Sequence, residues 1–294
     1  STTAFLKLDN SSIVIKNFNL FGLNNEKISI SGYGDTASFQ DFKLEASNFK
    51  LSNYSKLFPQ NIQDYLLNFD VQLTTAELTA NGQYKSPSYT FTTQIDSIYS
   101  FKKYSGKATA QVDYFDKNII GHINLSNDKQ DFNTLEINIK KIPIDLSLSD
   151  NLMKIYDKYD IDAKLNSFNL QTIAPFIPVV HKLRGYINTK INISGTNFED
   201  YLLNGEIETK DVSFNLVNNN LDYSLFSKIN ISQNSININN LKINNFGTNS
   251  YAQVTGSIDF KSSNVENLNL NLIAKDFFVL DEASKNQVRC FSGN

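Results

Sequence analysis

From Leu183 to Phe260 apolar residues fall on every second position, stop at a cluster of Gly, Asn or Asp, and begin again. Ile187, Ile191 and Ile193 share one parity, with Asn188, Lys190 and Asn192 on the other. Ile207 and Thr209 follow, then Val212, Phe214 and Leu216, so the parity slips once around Lys210 and Asp211. Leu225, Ile229 and Ile231 continue the pattern, as do Ile236 with Ile238, Leu241 with Ile243, and Val254, Ile258 and Phe260. Leu268, Leu270, Leu272 and Ala274 are aligned in the same way. A period of two is the signature of a strand with one apolar and one solvated face. A slip marks a bulge or turn that resets the register. The stretch is therefore a succession of strands, each apolar on one side only.

The same pattern runs through the first half, in FLKL, SIVIKNFNL, KISISGYG and DFKLEASNFKL, and later in YTFTTQI, GHINL and LEINIKKIPIDLSL. It predicts roughly twenty short strands. Gly82, Gly106, Gly121, Gly185, Gly205 and Gly256 precede apolar runs, which predicts strand starts where the chain reverses. The alternation fails in three places. Tyr54 to Leu67 has helical spacing after Pro59, and predicts a short amphipathic helix. Asn151 to Tyr159 is a second helical candidate, and 170–183, with Pro175 and Pro178, a short helix or compact loop. No alternation of strand and helix occurs, which excludes a parallel α/β sheet and predicts an antiparallel meander.

Signals for chemistry are sparse. His122 and His181 are isolated, so no metal site is expected, and neither a nucleophile elbow nor a phosphate loop occurs. Gly32–Gly34 reads as a turn, and Asp157, Asp160 and Asp162 as a solvated surface. Cys290 beside Arg289 is a lone thiol without a disulfide partner. A net charge of -3 with no basic patch argues against nucleic acid. Of 27 basic residues only Arg184 and Arg289 are arginine, so bidentate phosphate recognition is poorly provided for. No run of eighteen apolar residues is present to span a membrane as a helix. The expectation is a chain with no enzymatic activity, no cofactor and no metal.

The apolar side of so many strands must face something, because contiguous exposed patches much beyond about 600 Å² are rare on soluble proteins. Too few helices are predicted to cover it. Three arrangements answer the problem: two sheets packed together, a closed barrel, or a long sheet curled into a trough that holds apolar guests. Against a membrane barrel, aromatic residues do not gather at strand ends as girdles.

Residues 165–216 carry a more specific pattern. A Leu-rich strand leads into Ala174-Pro175-Phe176-Ile177-Pro178, then Gly185 through Gly195-Thr196, then Gly205 through Phe214. This order resembles a repeated unit of the TamB family within the AsmA-like group. Ala252 to Phe260 and NLNLNLIAKDFFVL resemble its continuation, and 44–73 is a weaker echo. The resemblance implies an all-β, mostly antiparallel curled sheet (a β-taco groove) with two or three short helical interruptions. It divides the chain into 1–164, the first part of the groove, with the short helix near 54–67, and 165–294, a TamB-like repeat segment. The chain starts at Ser1 and stops at CFSGN where another strand is expected, which suggests a piece of a longer protein.

The resemblance further implies a periplasmic location, in a protein anchored in the inner membrane, and a groove binding phospholipid acyl chains between the two membranes. The groove lining would be Ile187, Ile191, Ile193, Ile207, Val212, Phe214, Leu216, Leu225, Ile229, Ile231, Ile236, Ile238, Leu241, Ile243, Val254, Ile258, Phe260, Leu268, Leu270 and Leu272. One alternative is a chaperone-like scaffold for outer-membrane proteins with a BamA-like barrel partner. Another is a self-packed sandwich or solenoid adhesin.

Overall fold

The computed structural model describes residues 4–9, 11–35, 38–57, 60, 63, 69–100, 103–127, 133–146, 155–174, 177, 179–197, 201–217, 221–261 and 264–278. Over these residues the alternating segments form sixteen strands of one antiparallel sheet, ordered as they occur in the chain. The first eight are β1 (Ala4–Asp9), β2 (Ser12–Phe21), β3 (Lys27–Asp35), β4 (Phe39–Lys50), β5 (Phe69–Gln83), β6 (Ser86–Ser100), β7 (Lys103–Phe115) and β8 (Asn118–Ser126). The rest are β9 (Asn133–Pro143), β10 (Tyr159–Asn169), β11 (Val180–Gly195), β12 (Tyr201–Leu216), β13 (Asp222–Ser232), β14 (Ser235–Asn245), β15 (Tyr251–Lys261) and β16 (Asn264–Lys275). The all-β class follows directly from the period of two. Contacts divide the chain into two units, 1–164 with 192–201, and 165–191 with the described residues from 202 onward.

Sixteen strands replace the expected twenty because several slips in parity are bulges inside a strand. The slip at Lys210–Asp211 is one: the β12–β13 register shifts between Glu208 and Val212, and Asp211 has φ 51°. One extra residue there restores Val212 and Phe214 to the face of Ile207. Asn48, with φ 59°, lies within β4 between the runs ending at Ala46 and beginning at Phe49.

Of the six glycines expected at reversals only Gly82, with φ 95° one residue before the end of β5, lies beside one. Gly106, Gly121, Gly185, Gly205 and Gly256 all lie inside strands. At Gly256 a Cβ would strike the carbonyl oxygen of Asn269 on the next strand, and φ is 127°. This glycine is required by close approach of two backbones. The β7–β8 reversal is instead made by Asp116 and Lys117, with φ 47° and 58°.

The helical interruptions are tight turns. Leu51–Leu57 is 3-10 helix, and Gln60 and Gln63 are helical; the rest of 54–67 lies outside the described residues. The helix expected over 151–159 is not formed where the chain is described: Ile155 makes an antiparallel bridge to Ile144, and Tyr159 opens β10. Residues 151–154 are outside the description. Leu170–Thr172 is a 3-10 turn, and Asn169 caps it by accepting from Gln171 N. Pro175 and Pro178 are not among the described residues.

In the first unit, direct cross-strand partners link apolar side chains through eight strands, Phe18–Ile30–Leu44–Leu78–Phe91–Val112–Gly121–Ile139. Directly opposed residues share a face, so the row is one continuous apolar band interrupted by a single glycine. Leu44, Leu78 and Phe91 are still exposed. Toward β9 the band is closed: Tyr114 is buried, accepts from Leu146 N at 2.9 Å and packs on Tyr89, and Ile144 is buried nearby in sequence. Burial pushes the Tyr114 phenol above its ordinary pKa.

Candidate functional site

The second unit brings most of the sequence-predicted groove residues together as rows. Ile207, Ile229, Ile238, Gly256 and Leu270 are successive partners across β12 to β16. Val212, Leu225, Ile243, Ala252 and Ala274 form a second row, and Ile231, Ile236, Ile258 and Leu268 a third. Leu241, Val254 and Leu272 form a fourth. Phe260 pairs with Val265 beyond a bulge. Bulges in successive ladders keep these rows in phase across five strands, so the apolar side never crosses to the other face. Between the rows lie Asn230–Asn237–Ser257–Asn269 and Lys242–Gln253, the polar face of the same sheet.

The remaining predicted residues are placed differently. Phe214 stacks on Tyr223 at 5.6 Å, at the end of β12 where Leu216 N donates to Leu221 O. Ile187 packs against the buried cluster described next, and Ile191 and Ile193 are half-buried on β11, Ile193 within the first unit.

Two segments cover parts of the face. Leu170, Leu183 and Val212 form a buried cluster, with Ile173, Ala174, Ile177, Val180, Ile187, Phe214 and Leu225 packed around it. The 3-10 turn with Ile173, Ala174 and Ile177 thus lies on the apolar side, and Val212 is only 3 % exposed. The second cover follows β16. Phe277 packs on Tyr223 at 5.8 Å, and the buried Asn245 holds Phe278 by two hydrogen bonds: Phe278 N donates to its Oδ1 and its Nδ2 donates to the Phe278 carbonyl, both 2.9 Å. A carboxamide used this way replaces a peptide group of a neighbouring strand. Away from these covers the face opens, and on β16 Leu268 is 65 % and Leu272 67 % exposed.

Two features escape a reading of the sequence. Thr209 and Ser227 lie on the apolar side yet are buried. Ser227 N donates to Thr209 Oγ1 at 2.7 Å, beside the Glu208–Val212 bulge. The hydroxyl supplies an acceptor that the broken ladder does not, so it belongs to the wall rather than to chemistry. The apolar band of the first unit, Phe18 to Ile139, follows the alternation of KISISGYG and YTFTTQI and the groove expected over 1–164, but none of its residues is in the expected lining.

The polar faces carry ion pairs of ordinary surface kind. Lys140 bonds Asp162 at 2.8 Å, Asn192 donates to both Asp160 and Asp162, and Lys141 bonds Asp157 at 2.6 Å. Among the described residues no group of three or more His, Cys, Asp or Glu side chains could hold a metal ion, and no helix is long and apolar enough to cross a membrane. Comparison with family models, with curated proteins and with solved structures gave no match to this chain.

Proposed function

We propose that the apolar rows are a non-enzymatic binding surface for phospholipid acyl chains, in a periplasmic segment of a TamB-like protein anchored in the inner membrane. The observation that carries this reading is the continuity of the rows from β12 to β16 with Leu268 and Leu272 left exposed at their end. Each Leu or Ile taken out of water is worth about 1.5–3 kcal/mol, so a row of such side chains is a strong and unspecific attractor for a hydrocarbon chain. Acyl chains need neither hydrogen bonds nor a fixed register, which suits a surface built from aligned Ile and Leu. A phospholipid held this way would keep its headgroup in water and slide along the rows.

Photo-crosslinking side chains placed at Ile243 and Leu270 should capture phospholipid, while those at Asn237 and Asn269 should not. Equal capture at both parities would defeat the reading. A second reading draws on β16, which stands at the end of the strand order and is exposed on both faces. Such an edge can add an extended strand of a client protein, in the manner of a chaperone for outer-membrane proteins working with a BamA-like barrel. Polypeptide rather than lipid captured at the same positions would favour it. Capture of neither would favour a self-packed, adhesin-like sheet.

A further inference from the structure

One cleft of the second unit is lined by residues of both parities, polar and apolar. It encloses about 230 Å³ and is lined by Lys182, Arg184, Ser213, Phe214, Asp222 and Phe246. Arg184 is the only arginine among the described residues of a chain with 27 basic ones. Lys43, Lys117, Lys140 and Lys141 each bond a carboxylate at 2.6–3.0 Å. All of these lie in the first unit; Lys182 and Arg184 make no ion pair among the described residues, as is also true of Lys190, Lys210, Lys228 and Lys275, and what sets them apart is that they share one concavity. Asp222, the one carboxylate of the cleft, already accepts from Asn215 Nδ2 at 3.0 Å. Lys182 also holds φ 52°, a backbone conformation that costs of order 1 kcal/mol in a residue other than glycine and that strands seldom adopt. Two cations against one carboxylate leave the concavity with a net positive charge beside a serine hydroxyl, and a guanidinium fork matches the oxygens of a phosphate.

Phe214 belongs both to this cleft and to the apolar side, where it stacks on Tyr223. Phe246 adds an exposed aromatic surface at the cleft. We infer that the cleft takes the phosphate of a phosphate-bearing amphiphile whose hydrocarbon part lies against Phe246 and Phe214 and, past Phe214, on the apolar side to which that ring belongs. The inference rests on the lipid-binding reading given above and adds to it a headgroup class and the residues that select it. The face alone would accept any acyl chain, whereas Lys182 and Arg184 would distinguish a phospholipid from a neutral diacylglycerol.

The test uses short-chain lipids in monomeric solution and titration calorimetry on the whole chain. Dihexanoyl phosphatidylglycerol should bind at least about tenfold more tightly than dihexanoylglycerol, the size expected for hydrogen bonds to a charged group. The Lys182→Gln, Arg184→Gln double variant should remove that preference and leave the affinity for dihexanoylglycerol unchanged. Arg184→Lys should retain part of it. Both cations are exposed, so circular dichroism and the melting temperature should match those of the wild type. Equal binding of the two lipids by the wild type, or a preference that survives the double variant, would overturn the headgroup site and leave the apolar face standing. Inorganic phosphate binding as tightly as phosphatidylglycerol would reassign the cleft to a free anion and overturn the amphiphile. Failure of both lipids to bind would remove the lipid-binding reading itself, and this inference with it.

Discussion

The apolar side of the second unit has a closed region and an open one, both made from strands with the same alternation. At β11 and β12, Leu183 and Val212 are buried under Leu170, Ile173 and Ile177. On β16, Leu268 and Leu272 occupy equivalent positions of the alternation and are two-thirds exposed. The connections differ, and β16 is also the last strand of the order, with a neighbour on one side only. Between β10 and β11 the chain supplies a 3-10 turn carrying its own apolar residues, whereas β13 to β14 are joined at once through Gln233 and Asn234. The chain that returns over β11 and β12 makes core of them, while the face is partly buried on β14 and β15, where Ile238 is 9 % exposed, and open on β16.

Substitutions can break this comparison. The largest effect is expected from Val212→Asp, which buries an unpaired carboxyl in the closed region and should cost about 3–5 kcal/mol, against at most about 0.5 kcal/mol for Leu272→Asp. Urea unfolding followed by circular dichroism measures both; equal losses would mean that β16 is as enclosed as β12. Next, Ile173→Ser with Ile177→Ser should loosen the cover at a cost of about 1–3 kcal/mol. The same pair should raise the binding of a soluble acyl probe, because more of the wall is uncovered. A fall in probe binding would show that the cover is part of the binding surface.

Thr209→Val sharpens the comparison on a smaller scale. It removes the acceptor of Ser227 N while keeping the volume, and should cost about 1–3 kcal/mol without changing probe binding. A change in probe binding would give the hydroxyl a role beyond the wall. The smallest effect is expected on the solvated side, at Asp157, whose carboxyl the Lys141 ammonium holds below its ordinary pKa by a hydrogen bond. A carboxyl lowered in the folded state stabilises above its unfolded pKa and loses that contribution as pH falls through the folded value. The melting difference between wild type and Asp157→Asn should therefore be slight at neutral pH and vanish in acid.

Much of this architecture was legible because a period of two leaves few choices. The rows from Ile207 to Leu270 and from Val212 to Ala274 follow from parity alone, and even the slip at Asp211 could be read as a bulge. What parity cannot give is whether an interruption ends a strand or bends it, so several bulged strands read as pairs of shorter ones. Interior glycines were misread as turns because their need comes from a backbone on the neighbouring strand, as at Gly256 and Asn269, and that neighbour is invisible in local sequence. The cover formed by Leu170, Ile173, Ala174 and Ile177 reads in sequence as a short helix or compact loop, since nothing in those residues says which face they return to. Thr209 and Ser227 looked like lapses in the pattern, and only the broken ladder between them explains their burial.

The most direct measurement exploits the absence of tryptophan from the chain. Single tryptophans at Ile243 and Leu270 on the apolar side, and at Asn237 and Asn269 on the polar side, report on whatever touches each face. With phospholipid brominated along its acyl chains, fluorescence should be quenched at Ile243 and Leu270 and unchanged at Asn237 and Asn269. Quenching at all four positions, or at none, would contradict an apolar wall that holds acyl chains.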